Sequence, residues 1–191
     1  MNIRLGQSFR KTVLEDPNSQ HFILQTKDVL PGGRIARGLM PMSTLNESPK
    51  PNVDAGDVVV LCRGVRFNAG VIGELKGPTT AQNMFHILRL KDGANVLPGF
   101  IAAYINTPAA QEHFRSLSRG ATVQHLKIDD LGSFRIPLLP MEEQQLFVDL
   151  VQAVGEEQKL TKTLNILRQQ QLSALLGRLQ RTTSESNGNS Q

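Results

Sequence analysis

At 191 residues, with 39% hydrophobic and 20% charged side chains, the chain is long enough for one ordinary domain and an appendage, and its composition is that of a globular protein. No run of eighteen apolar residues occurs, and the basic start MNIRLGQSFRK has no apolar stretch behind it, so neither a membrane span nor a secretory leader is expected, and the cytoplasm is the expected compartment. The formal charge of +4 is unevenly placed: residues 1–140 hold sixteen basic and eleven acidic side chains and residues 141–191 five and six, which suits a body that meets a polyanion and a tail that meets protein.

From the N-terminus, short strand-like runs alternate with turn chemistry: HFILQTKDV at 21–29, DVVVLCR at 57–63, NAGVIGEL at 68–75 and MFHILRL at 84–90. They predict a mixed sheet. The only cysteine, Cys62, lies in one of these runs, which excludes an internal disulfide and a thiolate zinc cluster and marks the thiol as a small buried hydrophobe. Two helices follow. Pro98 opens PGFIAAYIN, and Thr107 caps a second helix with Pro108 at its first position and Gly120 as its terminator. ATVQHLKIDDL then predicts a loop and a helical turn, and SFRIPLLP a last strand stopped by two prolines.

Beyond Pro140 the composition shifts to Leu, Gln, Glu and Lys without proline, which favours helix. Leu146, Leu150, Leu160, Leu164, Leu167, Leu172, Leu175, Leu176 and Leu179 recur at steps of three and four, an apolar stripe on a helix about 60 Å long that requires a partner. Gly155 is a candidate bend, and Gln171 and Arg178 spoil a strict heptad, so a helical hairpin or pair is expected rather than an ideal coiled coil. The fold class is therefore α/β of the α+β kind. A mixed-sheet domain at 1–140 is followed by a long C-terminal helical arm at 141–181 and a disordered tail at 182–191.

No phosphate loop of the Walker type, no GxGxxG, no HExxH and no Asn-Pro-Pro-aromatic tetrapeptide is present, and the four histidines are scattered. Neither a cofactor nor a metal is expected. Asp57, Glu74 and Lys76 have the spacing of acidic ligands and a lysine at adjacent strand ends, as in metal-dependent nucleases, but solvated hairpin ends produce the same string. Nucleic-acid contact is better supported. Arg63, Arg66 and Asn68 lie between two strands, where guanidinium groups on a rigid sheet reach phosphates or guanine, and Asn68, Gln82 and Asn83 suit bidentate pairing with adenine. Arg119, Thr122, Gln124, His125 and Lys127 form a second polar, basic cluster, and Arg34 and Arg37 among glycines form a third.

The ordered series Arg4-Leu-Gly6, Leu24-Gln-Thr-Lys-Asp28, Ala55-Gly-Asp-Val-Val-Val-Leu-Cys-Arg-Gly64, Leu97-Pro-Gly-Phe-Ile-Ala-Ala-Tyr-Ile-Asn106, Gly120-Ala-Thr122 and Ile136-Pro-Leu-Leu-Pro-Met-Glu-Glu-Gln144 resembles the specificity subunits of type I restriction-modification systems over nearly the whole chain. The resemblance implies a non-catalytic subunit. Its target recognition domain, at 1–140, would read one part of a split double-stranded DNA site through the basic loops above. Its helical region, from 141, would space domains and dock the modification methyltransferase subunit, with a restriction subunit in some assemblies. Full specificity subunits resemble two such units in tandem, whereas this sequence carries one. A half-subunit is thus expected, paired through Leu160, Leu164, Leu167, Leu172, Leu175, Leu176 and Leu179 with a second copy or another half-subunit, on a bipartite site.

Overall fold

The structure is a computed structural model that describes residues 1–10, 12–30, 34–35, 39, 41–44, 49–117 and 124–188, apart from the side chains of residues 34, 44 and 178–188. Contacts divide the chain into Met1–Val151 and Gln152–Gln191.

Among the described residues of the first unit, ten short strands precede the α-helices: β1 (Asn2–Leu5), β2 (Val13–Glu15), β3 (Phe22–Leu24), β4 (Val29–Leu30), β5 (Arg34–Ile35), β6 (Met42–Thr44), β7 (Val58–Leu61), β8 (Ala69–Val71), β9 (Thr79–Ala81) and β10 (Phe85–Arg89). Four of them make an antiparallel sheet in the order β1-β10-β7-β8, with Leu5 opposite His86, Phe85 opposite Leu61 and Val60 opposite Ala69. The remaining strands pair two by two. β3 with β9 is parallel, so strand directions are mixed across the domain.

β7 is the strand from which the domain is built. All four residues of VVVL are buried, and a strand with no polar face must be covered on both sides. Alternation sends Val58 and Val60 into one core and Val59 and Leu61 into the other. The first core is closed by helices α1 (Pro98–Ile105), α2 (Pro108–Leu117) and α3 (Ile128–Ser133), which contribute Ile101, Ile105, Phe114 and Leu131. The second lies under the small strand pairs and holds Leu24, Ile72 and Phe85. Pro98 stands at the start of α1, and the Thr107 hydroxyl accepts the Ala110 N–H at 3.3 Å, as the capping signals predict.

The expected strand over SFRIPLLP does not form. Residues 134–140 join no ladder among the described residues, because Phe134 and Ile136 turn into the helix-side core while Pro137 and Pro140 have no N–H to offer a neighbour. The Phe134 ring lies 4.6 Å from that of Phe114 and 5.4 Å from the His113 ring.

Helix α4 (Met141–Gly188) begins within this unit. Its first three turns lie in the first contact unit, which ends at Val151. Phe147 meets Phe100 edge-on at 5.5 Å, and a Cβ at Gly99 would stand 3.3 Å from Val148, so glycine there lets the two helices approach closely. Gln144 is fully buried: its amide accepts the Leu97 N–H at 2.8 Å and donates to the carbonyls of Leu139 at 2.7 Å and Asn95 at 3.2 Å.

In the second unit, Gly155 does not interrupt the helix, which runs unbroken through it and makes no hairpin with itself among the described residues. The helical backbone also continues seven residues past the expected end at 181, into sequence expected to be disordered. A chain already propagating helix adds one hydrogen bond per residue without a new nucleation cost, and TTSES contains no proline to stop it. Leu160, Leu164, Leu167, Leu172, Leu175 and Leu176 are 47 to 69% exposed; the side chain of Leu179 lies outside those described. No helix among the described residues is long and apolar enough to cross a membrane.

Candidate nucleic-acid interface

The antiparallel registers bring one set of turns to a single end of the four-stranded sheet. Where β7 ends, β8 and β10 begin, so the β7–β8 connection (62–68) and the β9–β10 turn (82–84) share that end. The Cys62 N–H donates to Met84 O at 2.9 Å. A third segment joins them from after α2. Arg63 and His125 form an antiparallel bridge, in which Gly64 N–H donates to Gln124 O at 3.1 Å and Leu126 N–H to Cys62 O at 2.9 Å. Gly64 has φ +113°, in the region that side chains rarely enter, which gives this glycine a conformational reason to be one.

Two of the three expected contact groups therefore meet. Arg63, Arg66, His125 and Lys127 are exposed on this ledge, and Asn68, Gln82, Asn83 and Gln124 are half-buried beside it. The guanidinium groups of Arg63 and Arg66 are in no ion pair among the described residues. The acids next in sequence, Asp129 and Asp130, occupy the first turn of α3, where they face the positive end of its dipole. Arg37, Arg119 and Thr122 lie outside the described residues. Arg34 is in β5, opposite Leu30, and its side chain lies outside the description.

The ledge is supported by residues that the sequence reading did not single out. The side-chain amide of Gln111, on α2, accepts the Phe67 N–H at 3.0 Å and donates to Phe67 O at 3.0 Å and Ile105 O at 2.9 Å. Asn106 repeats the pattern two residues on, accepting the Ala69 N–H at 2.9 Å and donating to Ala69 O at 2.8 Å. Both act as one-residue strands against the loop. A glutamine on the apolar face of PAAQEHF, between Ala110 and Phe114, was the available signal, since a buried amide must find backbone partners. Below the bridge, His86 is buried on β10 with Nε2 2.7 Å from Leu126 O. A carbonyl only accepts, so Nε2 carries the proton. Burial lowers the His86 pKa, the more so with His125 nearby, so the ring stays neutral. Burial pushes the Cys62 thiol up despite the adjacent Arg63, which makes it a poor nucleophile.

The nuclease-like trio is not a site. Asp57 is 2% exposed at the opposite end of the sheet, where its oxygens take Arg89 Nε at 2.8 Å, Arg89 Nη2 at 2.6 Å and the Asp54 N–H at 2.9 Å. The hydrogen bonds that Arg89 donates to Asp57 raise its already high pKa, and Arg4 adds a longer ion pair to Asp57 at 3.9 Å. With its oxygens so engaged, this carboxylate has no role left as a metal ligand, and Glu74 and Lys76 are exposed past the end of β8. Among the described residues no group of three His, Cys, Asp or Glu converges to hold an ion.

Two solved structures are similar in fold. The HsdS subunit from Thermoanaerobacter tengcongensis is 18% identical with a TM-score of 0.50, over 82% of this chain and 35% of that one. The S subunit of a type I restriction-modification system from M. genitalium is 19% identical with a TM-score of 0.52, over 81% of this chain and 36% of that one. The chain thus spans about a third of the length of each. No protein of curated function matches at a significant level. The model of a sequence family described as the type I restriction modification DNA specificity domain matches residues 34–168, more than half of the chain, and takes in the β7–β8 ledge, the helices that brace it and the start of α4; the chain belongs to that family.

Proposed function

We propose that the chain is the sequence-reading, non-catalytic component of a type I restriction-modification system. In this reading it directs a modification methyltransferase subunit, and in assemblies that contain one a restriction subunit, to a bipartite site on double-stranded DNA in the cytoplasm. The observation that carries the reading is the ledge itself. Residues 62–68 and 124–127, far apart in sequence, are hydrogen-bonded into one exposed basic surface on a rigid sheet end. Arginine and lysine there address phosphates, and the neighbouring amides address base edges. The exposed leucines of α4 support the second half of the proposal, a pairing with a second copy or another half-subunit that holds two readers at a fixed spacing.

The test is a domain exchange. Purified with its modification subunit, the chain should direct methylation to one interrupted motif, and replacing residues 1–140 by another recognition domain should change the motif while co-purification persists. An unchanged motif refutes the assignment of sequence reading to this region. Binding without any sequence preference at low salt would instead identify an adaptor of a phage-defence complex.

A further inference from the structure

Val65, at the tip of the β7–β8 connection, is 76% exposed, more than any other large hydrophobic residue described. It stands between the exposed Arg63 and Arg66, while Phe67 turns inward, fully buried with its ring 6.2 Å from that of Phe114. The loop that offers Val65 to solvent is held on both sides. Gly64 N–H is tied to Gln124 O, and Phe67 N–H and C=O are both taken by Gln111, itself anchored to Ile105 O. Two residues on, Asn106 engages both backbone groups of Ala69, the first residue of β8. The tip is thus pre-organised, and a partner that meets it need not supply the cost of ordering it.

The chemistry of that partner follows from the three adjacent side chains. Two guanidinium groups flanking one branched apolar group match a duplex groove wall, which presents phosphates on either side. The one apolar group on its base edges is the thymine 5-methyl. We propose that Val65 is a specificity-determining residue, in van der Waals contact with the 5-methyl group of one thymine in the recognised site, with Gln111 and Asn106 as its positioning residues. This rests on the DNA-reading function proposed above.

The experiment uses the complex with its modification subunit and duplexes that carry the motif read from methylated bases. Each thymine is replaced in turn by deoxyuridine, which lacks only the methyl group. Wild-type affinity should fall about three- to fivefold at one position, the factor that one buried methyl contributes, and Val65→Ala should bind the two duplexes at that position equally. Gln111→Leu should flatten the same preference while the complex with the modification subunit still forms and far-UV circular dichroism stays that of the wild type, which a general folding defect would not do. A wild-type complex indifferent to every deoxyuridine, a motif without A·T pairs, or a Val65→Ala variant that keeps the wild-type ratio would overturn the proposal. So would loss of the modification subunit from Val65→Ala with the base preference intact, which would make Val65 a protein contact. If the wild type shows no sequence preference on any duplex, the DNA-reading function itself fails, a distinguishable result.

Discussion

Replacing Gln144 tests how the helical arm is joined to the sheet domain. Its amide satisfies the N–H of Leu97, the residue that begins α1 without a side-chain cap of its own, and two carbonyls on separate segments, 95 and 139. Gln144→Leu keeps most of the volume but leaves the Leu97 N–H and the Leu139 carbonyl without a partner beside a buried side chain, while the carbonyl of the exposed Asn95 can turn to water. An orphaned buried group costs about 1–3 kcal/mol, carbonyls at the lower end, so the expected loss is about 2–4 kcal/mol. For a domain of this size that lowers Tm by about 5–10 °C. Gln144→Glu discriminates further. A carboxylate still accepts from Leu97 but faces two carbonyl oxygens, so this variant should be weaker at pH 7 than at pH 4.5, where the protonated acid can donate to one of them. Urea denaturation of the full chain followed by circular dichroism, with the slope checked for constancy, measures both. A Gln144→Leu variant within 0.5 kcal/mol of wild type would refute the reasoning, because it would mean that water or rearrangement satisfies all three groups at no cost.

The His86 pKa is lowered in the folded state, so the unfolded chain binds the extra proton first; the stability from this group is complete above about pH 6.5 and is lost as pH falls below it. His86→Gln should therefore reduce the stability lost between pH 7 and pH 5 in denaturant titrations, while His21, lowered in the same direction by burial, retains a share of it. Asp57→Ala should cost about 1–2 kcal/mol, by leaving the Asp54 amide unmatched and Arg89 with only the Asp54 carboxylate, and the wild-type chain should show no magnesium-dependent cleavage for this substitution to remove; a nuclease assay with both proteins decides. Leu164→Asp should turn paired chains into single ones in sedimentation velocity with the thermal unfolding of the sheet domain unchanged, and persistence of the pair would place the interface elsewhere.

Much of this protein follows from local sequence. The continuous run VVVL can only be a strand covered on both faces, Pro98 and Thr107 begin their helices where the capping rules put them, and the proline-free, leucine-spaced region after Met141 is helical throughout. Local signals misled where backbone pairing was the deciding factor. SFRIPLLP alternates as a strand does, yet its alternate residues bury against helices and the segment never meets a ladder. Asp57 and Glu74 have the spacing of metal ligands, but Arg89, more than thirty residues away in sequence, occupies the first of them.

What only the tertiary structure decided is which polar residues work together. Spacing along the chain identified the Arg63 and His125 clusters separately, and nothing local indicates that Gly64 and Leu126 exchange backbone hydrogen bonds with the other segment and make one ledge of the two. Gln111, Asn106 and Gln144 read as ordinary helix residues until burial forces each amide to find backbone partners thirty-seven to forty-nine residues away. The physical reason is the same in each case. Hydrophobic periodicity is a short-range pattern visible in one segment, whereas the obligation to satisfy a buried polar group is met by whichever backbone the fold brings beside it.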